Sequence, residues 1–183
     1  MHILIRCLNI GHLSVTKAKT IYQGQYIKLE EKLIQEDVYE LVHLRAAVIV
    51  FAKDKNGKFL FIKEHRPHET PHLRLKPVTG FIDDGDDWLK TAHKELREEA
   101  GLIAGNIELI RHLPLTGSVT TDKYFALATD LSKDQNPIAN PDGDVIKEIM
   151  YLSLEEAIEL TLKGDMPLVF DSLGLFLIKE LKL

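Results

Sequence analysis

The sequence has almost none of the cysteine that disulfide scaffolds and zinc sites require, and it lacks the long apolar runs of a membrane protein. Cys7 is the only cysteine among 183 residues, which excludes an intrachain disulfide and a zinc finger. No stretch approaches the roughly 18 consecutive apolar residues that a membrane span requires, and Arg6 already interrupts the apolar start. We therefore expect a cytoplasmic protein with neither an export signal nor a membrane partner.

An excess of positive charge is also missing. Lys and Arg number 23 against 28 Asp and Glu, and the formal net charge of -5 argues against broad capture of a nucleic-acid backbone. The hydrophobic share of 45% and the charged share of 28% are typical of a globular protein. We find no internal repeat, low-complexity tract or linker. We therefore expect an N-terminal extension or strand over residues 1–19 and one domain over residues 20–183.

The first half of the chain has the pattern of extended structure. Three segments rich in Val, Ile, Leu, Phe and Tyr predict an antiparallel meander, and Asn56-Gly57 predicts a tight turn between the last two. Pro67, Pro71 and Pro77 then predict a loop. Further strands are predicted near residues 123–129 and 148–152, around a polar loop at 132–144. The three segments of the meander are residues 26–34, 38–52 and 58–65.

The second half contains three predicted helices. An apolar stripe at helical spacing predicts a helix over residues 87–100, with Asp86 or Asp87 as its N-cap and Gly101 at its end. Ser153 and Glu156 have capping-box spacing for a helix over 154–163. A last helix is predicted over 171–181. The mixture of strands and helices indicates an α/β class, in the broad sense that includes α+β.

Three glutamates of the first predicted helix form an acidic face. Glu95, Glu98 and Glu99 stand at positions i, i+3 and i+4, so a helix places their carboxylates side by side. An ordinary solvated face paired with nearby lysines is one interpretation. The other is a site for a hard divalent cation, because the preceding glycine-containing loop lets a backbone carbonyl approach such an ion. Clustered carboxylates with magnesium favour metal-assisted phosphoryl transfer.

Residues 80–102 resemble the Nudix box, G-x5-E-x7-R-E-U-x-E-E-x-G-U, where U is aliphatic. Every spacing is met, from Gly80 through to Gly101 and Leu102. Two positions depart from the pattern, since Asp86 replaces a glutamate and Lys94 replaces an arginine. The resemblance implies an α/β/α sandwich with a mixed β-sheet and a loop-helix-loop catalytic motif. It also implies hydrolysis of a nucleoside diphosphate linked to another group.

The same resemblance implies roles for the glutamates. Glu95 and Glu99 would be ligands of Mg²⁺ or Mn²⁺, and the carbonyl of Thr79 would be a further ligand. Glu98 would bind metal through water or share the role of the base. The family's arginine, here Lys94, orients the catalytic glutamates and pairs with the earlier acid, here Asp86. Both replacements keep the charge and change the geometry.

Beyond the box, the sequence is similar to the ADP-ribose and nucleotide-sugar pyrophosphatase branch. Residues 63–66, 75–80 and 148–157 carry this similarity. Arg66 is either a diphosphate contact or a surface arginine before Pro67. The branch places a catalytic base on a late acidic segment, where Asp142, Asp144 and Glu148 are available and Glu148 aligns best.

The function implied is metal-dependent hydrolysis of ADP-ribose or a nucleotide sugar to a nucleoside monophosphate and a sugar phosphate. One alternative is a non-catalytic nucleotide-sugar sensor or regulator with a degenerate box, for which Asp86 and Lys94 are the reason. Another is a Nudix hydrolase of dinucleoside polyphosphates. The resemblance also implies a homodimer.

Overall fold

The structure is a computed structural model, and it describes residues 15–137 and 145–183. These ranges contain ten strands and three helices, and the described residues divide into two compact units. None of the helices in the described ranges has the length and apolar character needed to cross a bilayer. The strands are β1 Val15–Gln23, β2 Ile27–Ile34, β3 Asp37–Leu44, β4 Ala47–Ala52, β5 Phe59–His65, β6 Leu73–Lys76, β7 Val78–Phe81, β8 Leu102–Leu115, β9 Val119–Lys133 and β10 Val145–Leu152, and the helices are α1 Trp88–Ala100, α2 Leu154–Lys163 and α3 Val169–Leu181.

The first unit comprises the described residues up to Arg45 together with Leu115–Thr121. Strands β1, β2 and β3 form an antiparallel meander. The predicted meander began at residue 26, so only its first pairing, between β2 and β3, is confirmed. Strand β3 also pairs in parallel with the first residues of β9. Strand β1 runs across residues 19 and 20, where the sequence placed a domain boundary, and that boundary stays a prediction.

The second unit comprises Ala46–Pro114 and Asp122–Leu183. Its strand β4 pairs antiparallel with β7 and parallel with β9, which confirms the predicted mixed sheet. A separate antiparallel sheet has the order β10-β5-β6. Every residue of β4 is buried because helices cover both of its faces.

The two faces of β4 show how the core is built. Ile49 and Phe51 point to the cluster that contains α2 and α3, whereas Val48 and Val50 point to the cluster that contains Leu96 of α1. This alternation is the period of two that a strand imposes on its side chains. The predicted α/β/α arrangement is therefore confirmed within the second unit.

The predicted meander is wrong beyond residue 44. The run 38–52 divides into β3 and β4, and β5 pairs with β6 and β10. The tight turn is present, since the Asp54 N–H donates to the Lys58 carbonyl and Gly57 has a φ of 80°. Past the single bridge between Lys53 and Phe59, however, the two strands join different sheets.

The remaining differences concern short or unpatterned strands. The predicted proline loop contains β6, an edge strand between Pro71 and Pro77, where the missing proline N–H groups are tolerated. The sequence did not predict β8. Helix α2 has the predicted capping box of Ser153 and Glu156 and ends at Gly164. Helix α3 begins two residues before its predicted start, at Val169.

Candidate functional site

Helix α1 is fixed at both ends and along its buried side. The Asp87 carboxylate accepts a hydrogen bond from the Lys90 N–H at 2.7 Å, and Gly101 ends the helix in the left-handed region with a φ of 63°. Ala92 and Leu96 are fully buried against the second unit's core. The predicted helix and caps are confirmed, and this anchoring sets the rotation at which α1 presents its three glutamates.

Glu99 joins α1 to strands β6 and β7. Its Oε1 accepts a hydrogen bond from Lys76 Nζ at 2.9 Å, and its Oε2 accepts one from the Thr79 N–H at 3.0 Å. Burial raises the pKa of Glu99, and the Lys76 ammonium and the Thr79 N–H oppose that rise. The side chain is therefore held in one orientation by two donors.

The Thr79 backbone faces the same carboxylate. Thr79 lies opposite Ile49 in the β4–β7 ladder, yet its N–H donates to Glu99. In an extended strand, the N–H and the C=O of one residue point to the same side. The Thr79 carbonyl therefore points to the side on which Glu99 lies, which supports its predicted role as a ligand.

Glu95 packs against the backbone of Gly80. A Cβ built on Gly80 would lie 2.0 Å from Glu95 Oε1, so only glycine leaves room for this carboxyl group. Burial, followed by the charge of Glu99, raises the pKa of Glu95 to about 8. A carboxyl group in this environment keeps its proton near neutral pH unless a cation compensates its charge.

This donor set fits a divalent cation. Among the described residues, no three His, Cys, Asp or Glu side chains come close enough to hold a metal ion by themselves. Glu95, Glu99 and the Thr79 carbonyl nevertheless offer oxygen ligands, and the carboxyl groups of Glu95 and Glu99 are buried. The charges of Lys94 and Lys76 only partly offset the effect of burial on the pKa of Glu95. Magnesium commonly takes one or two carboxylates and keeps several waters.

The two departures from the Nudix box do not pair with each other. Asp86 Oδ1 contacts Lys90 Nζ at 2.5 Å, one helical turn further on. Lys94 Nζ lies 3.4 Å from Asp83 Oδ2 and 3.9 Å from Glu98 Oε2. The pairing of Lys94 with Asp86 that the resemblance implied is thus corrected, because the short Asp86 side chain meets the nearer lysine.

Arg66 and Glu99 belong to one chain of ion pairs. Arg66 donates to Glu64 Oε1 at 2.7 Å, and Lys76 Nζ lies 3.0 Å from Glu64 Oε2. Glu64 is fully buried and Lys76 is 5% exposed. Neither Glu64 nor Lys76 was predicted from the sequence as a site residue. Glu64 continues the alternation of Leu60 and Ile62, which was a usable signal for its burial.

Asp171, which the sequence indicated only as the start of a helix, is a further buried acid. It is 2% exposed, and its Oδ2 has no hydrogen-bond partner in the described part of the chain. Burial raises the pKa of Asp171 to about 7, although the charges of Lys76, Arg74 and Lys123 oppose the rise. In the sequence, the predicted helix and the apolar residues around Asp171 indicated that its side chain would be buried. No sequence pattern indicated which charged residues would lie beside it.

The structure does not bring Glu148 together with the glutamates of α1. Glu148 Oε2 pairs with Lys63 Nζ at 2.9 Å, and the Glu148 side chain is 53% exposed. Lys63 follows Phe61 on the face of β5 toward α2 and α3, whereas Glu64 follows Ile62 on the face toward α1. A register shift between Ile146 and Glu148 sets this orientation. The role of Glu148 as a base stays a prediction, and Asp142 and Asp144 lie outside the described residues.

Comparison with known proteins identifies the family and the fold. The model of the NUDIX domain matches residues 43–171. No curated protein sequence matches the chain. Among solved structures, the chain is similar to the crystal structure of an ADP compounds hydrolase, with a TM-score of 0.74 and 19% identity over 91% of this chain and 92% of that chain. That likeness shows the fold, and the match to the family model covers well over half of the sequence. The chain therefore belongs to the NUDIX domain family and is a Nudix hydrolase that acts on phosphorus-containing anhydrides.

Proposed function

We propose that the protein hydrolyses the pyrophosphate bond of ADP-ribose or a nucleotide sugar, giving a nucleoside monophosphate and a sugar phosphate. The observation that carries this proposal is the buried group formed by Glu95, Glu99 and the Thr79 backbone at the start of the loop-helix-loop motif. The similar crystal structure is that of an ADP compounds hydrolase, which supports a substrate of this class.

The reaction depends on Mg²⁺ or Mn²⁺ held by Glu95, Glu99 and the Thr79 carbonyl. When bound, the cation would neutralise the charge of the diphosphate and lower the pKa of a bound water molecule. Gly80 keeps the space in which the Glu95 carboxyl group lies, and Lys76 and the Thr79 N–H keep Glu99 oriented.

The other polar groups have roles in binding and proton transfer. Glu98, at the same face of α1 and only 6% exposed at its side chain, accepts a proton from the attacking water or orients that water. Arg66 contacts the substrate diphosphate, because a guanidinium group can bind two phosphate oxygens at once. Its pairing with Glu64 fixes the direction of the guanidinium group before the substrate arrives.

A substrate panel tests this function. Purified protein is incubated with ADP-ribose, nucleotide sugars and dinucleoside polyphosphates, with magnesium or manganese, and phosphate is measured after phosphatase coupling. We expect turnover of ADP-ribose or one nucleotide sugar that a chelator abolishes. Faster turnover of a dinucleoside polyphosphate would change the proposed substrate and leave the proposed pyrophosphate hydrolysis unchanged. Binding of nucleotide sugars without any turnover would overturn the proposal in favour of a sensor.

The Glu99→Gln variant tests the ligand assignment. Removing a residue that only hydrogen-bonds a metal ligand lowers metal affinity or activity by about 10- to 100-fold. Glu99→Gln removes a ligand itself, so we expect turnover to fall by at least about 100-fold. Glu159→Gln is the matched control, because Glu159 is an exposed residue of α2 that pairs with Lys163. Metal-dependent turnover of Glu99→Gln close to that of the control would remove Glu99 from the site.

The cellular setting and the assembly rest on different sequence features. The single cysteine favours the cytoplasm, the net charge of -5 argues against a nucleic-acid partner, and the resemblance implies a homodimer. We propose a cytoplasmic homodimer that has no nucleic-acid partner. Light scattering coupled to size-exclusion chromatography, at several protein concentrations, measures the mass of the assembly. A mass equal to one chain of 20.8 kDa would contradict the dimer.

A further inference from the structure

Two buried carboxylates share one lysine beside the site. Lys76 Nζ lies 3.0 Å from Glu64 Oε2 and 2.9 Å from Glu99 Oε1, and all three residues are buried. Carboxylates that face each other in the interior need a cation between them, because their repulsion is poorly screened there. In this protein the ammonium group of Lys76 provides that cation.

The charges along this chain alternate in sign. Arg66 contacts one oxygen of Glu64, Lys76 contacts the other, and Lys76 then contacts Glu99. Arg66 also lies 3.6 Å from Glu69 Oε1, so Lys76 is the cation that faces both Glu64 and Glu99. The gap between these two carboxylates therefore already contains a positive charge.

We propose that Lys76 is a positioning residue that takes the place of a divalent cation between Glu64 and Glu99. The ammonium holds Glu99 Oε1 and excludes metal from this gap, which leaves the metal to the side of Glu99 that faces Glu95 and Thr79. This inference rests on the proposed function, since it concerns the orientation of a ligand in the same site.

The number of bound metal ions provides the first test. Metal-stripped protein is titrated with Mn²⁺ without substrate, and free Mn²⁺ is measured by electron paramagnetic resonance. In Lys76→Met the two carboxylates face each other without a cation, so we expect one more Mn²⁺ per chain than in the wild type. Lys76→Arg keeps a charged donor in the gap and is expected to retain the wild-type number.

A double variant identifies where the additional ion binds. Glu64→Gln combined with Lys76→Met removes one of the two carboxylates, so the additional Mn²⁺ is expected to disappear. Lys163→Met is the matched control, because it removes an exposed lysine from an ion pair on α2. If Lys76→Met does not fold, Lys76→Gln offers an uncharged donor and the same expected gain of one ion.

Kinetics provide the second test. Removal of a partner of a metal ligand lowers activity by about 10- to 100-fold. We expect Lys76→Met to lower kcat by this factor and to leave KM for the diphosphate substrate nearly unchanged, because Lys76 contacts Glu99 rather than substrate. An unchanged Mn²⁺ number, or a kcat like that of the wild type, would overturn the inference. Failure of every substrate in the panel would instead overturn the proposed function, and the Mn²⁺ count would still test Lys76.

Discussion

Asp171 lies in the first turn of α3, and its pKa is raised because its carboxyl group is buried. The ordinary pKa of 3.8 becomes about 7, so between these values the folded chain keeps a proton that the unfolded chain releases. Stability therefore falls as pH rises through this window, because the unfolded state binds fewer protons than the folded state. The charges of Lys76, Arg74 and Lys123 reduce this effect without removing it.

The variant Asp171→Asn tests this shift. The amide has the same shape and no proton to lose, so its stability relative to the wild type is expected to increase as pH rises from 4 to 7. Urea unfolding at several pH values, in the presence of a chelator, measures this difference in free energy of unfolding. A difference that stays constant with pH would show that the carboxyl group of Asp171 titrates alike in the folded and unfolded chains.

At the residue scale, spacing was enough to predict part of the site. Glu95, Glu98 and Glu99 share a face because of the helical period, which depends only on their positions in the sequence. The partners of Glu99 could not be predicted in the same way. Lys76 reaches it only because the fold brings the end of β6 beside α1, and this proximity is a property of tertiary structure.

Helix α1 carries Glu95, Glu98 and Glu99, and the packing of α1 against the core determines how well these side chains are oriented. Leu96 has no exposed surface and packs in the cluster that contains Val48 and Val50 of β4. Truncation to alanine removes that packing and leaves a cavity, which lowers the free energy of unfolding by about 2–5 kcal/mol. Because Glu95 and Glu99 flank this anchor, turnover is expected to fall as well.

Equilibrium urea unfolding measures the cost of Leu96→Ala. Leu162→Ala is the control, since Leu162 lies on α2 with 76% of its surface exposed. A change within about 0.5 kcal/mol is expected for the control, as for most surface substitutions. Equal destabilisation by the two variants would mean that Leu96 does not anchor α1.

Elements with local signals were predicted well from the sequence. Helices α1 and α2 have side-chain caps at their starts and glycines in the left-handed region after their ends, and these signals act within a few residues. Strand partners depend on distant residues. The run 38–52 looked continuous, yet β4 pairs with β7 and β9, and no local pattern indicated that choice.

For the whole molecule, the site sets a pH dependence of stability when no metal is bound. Burial raises the pKa of Glu95 from 4.5 to about 8, so the folded chain holds one more proton than the unfolded chain between these values. The free energy of unfolding therefore falls with rising pH across this range, by at most about 1.4 kcal/mol per pH unit for one proton. The contribution of Asp171 has the same sign over its own window.

A divalent cation is expected to offset this trend. The ion binds the ionised form of Glu95 in the folded chain, so its affinity and its stabilising effect increase as pH rises toward about 8. Thermal unfolding of the wild type with magnesium or with a chelator, at pH values from 5 to 8, measures the increase in Tm that the ion causes. This increase should grow with pH in the wild type. In Glu95→Gln it should be small and independent of pH, because the amide neither releases a proton nor offers a charged ligand. A magnesium effect that grows equally with pH in both proteins would mean that the cation binds elsewhere on the molecule.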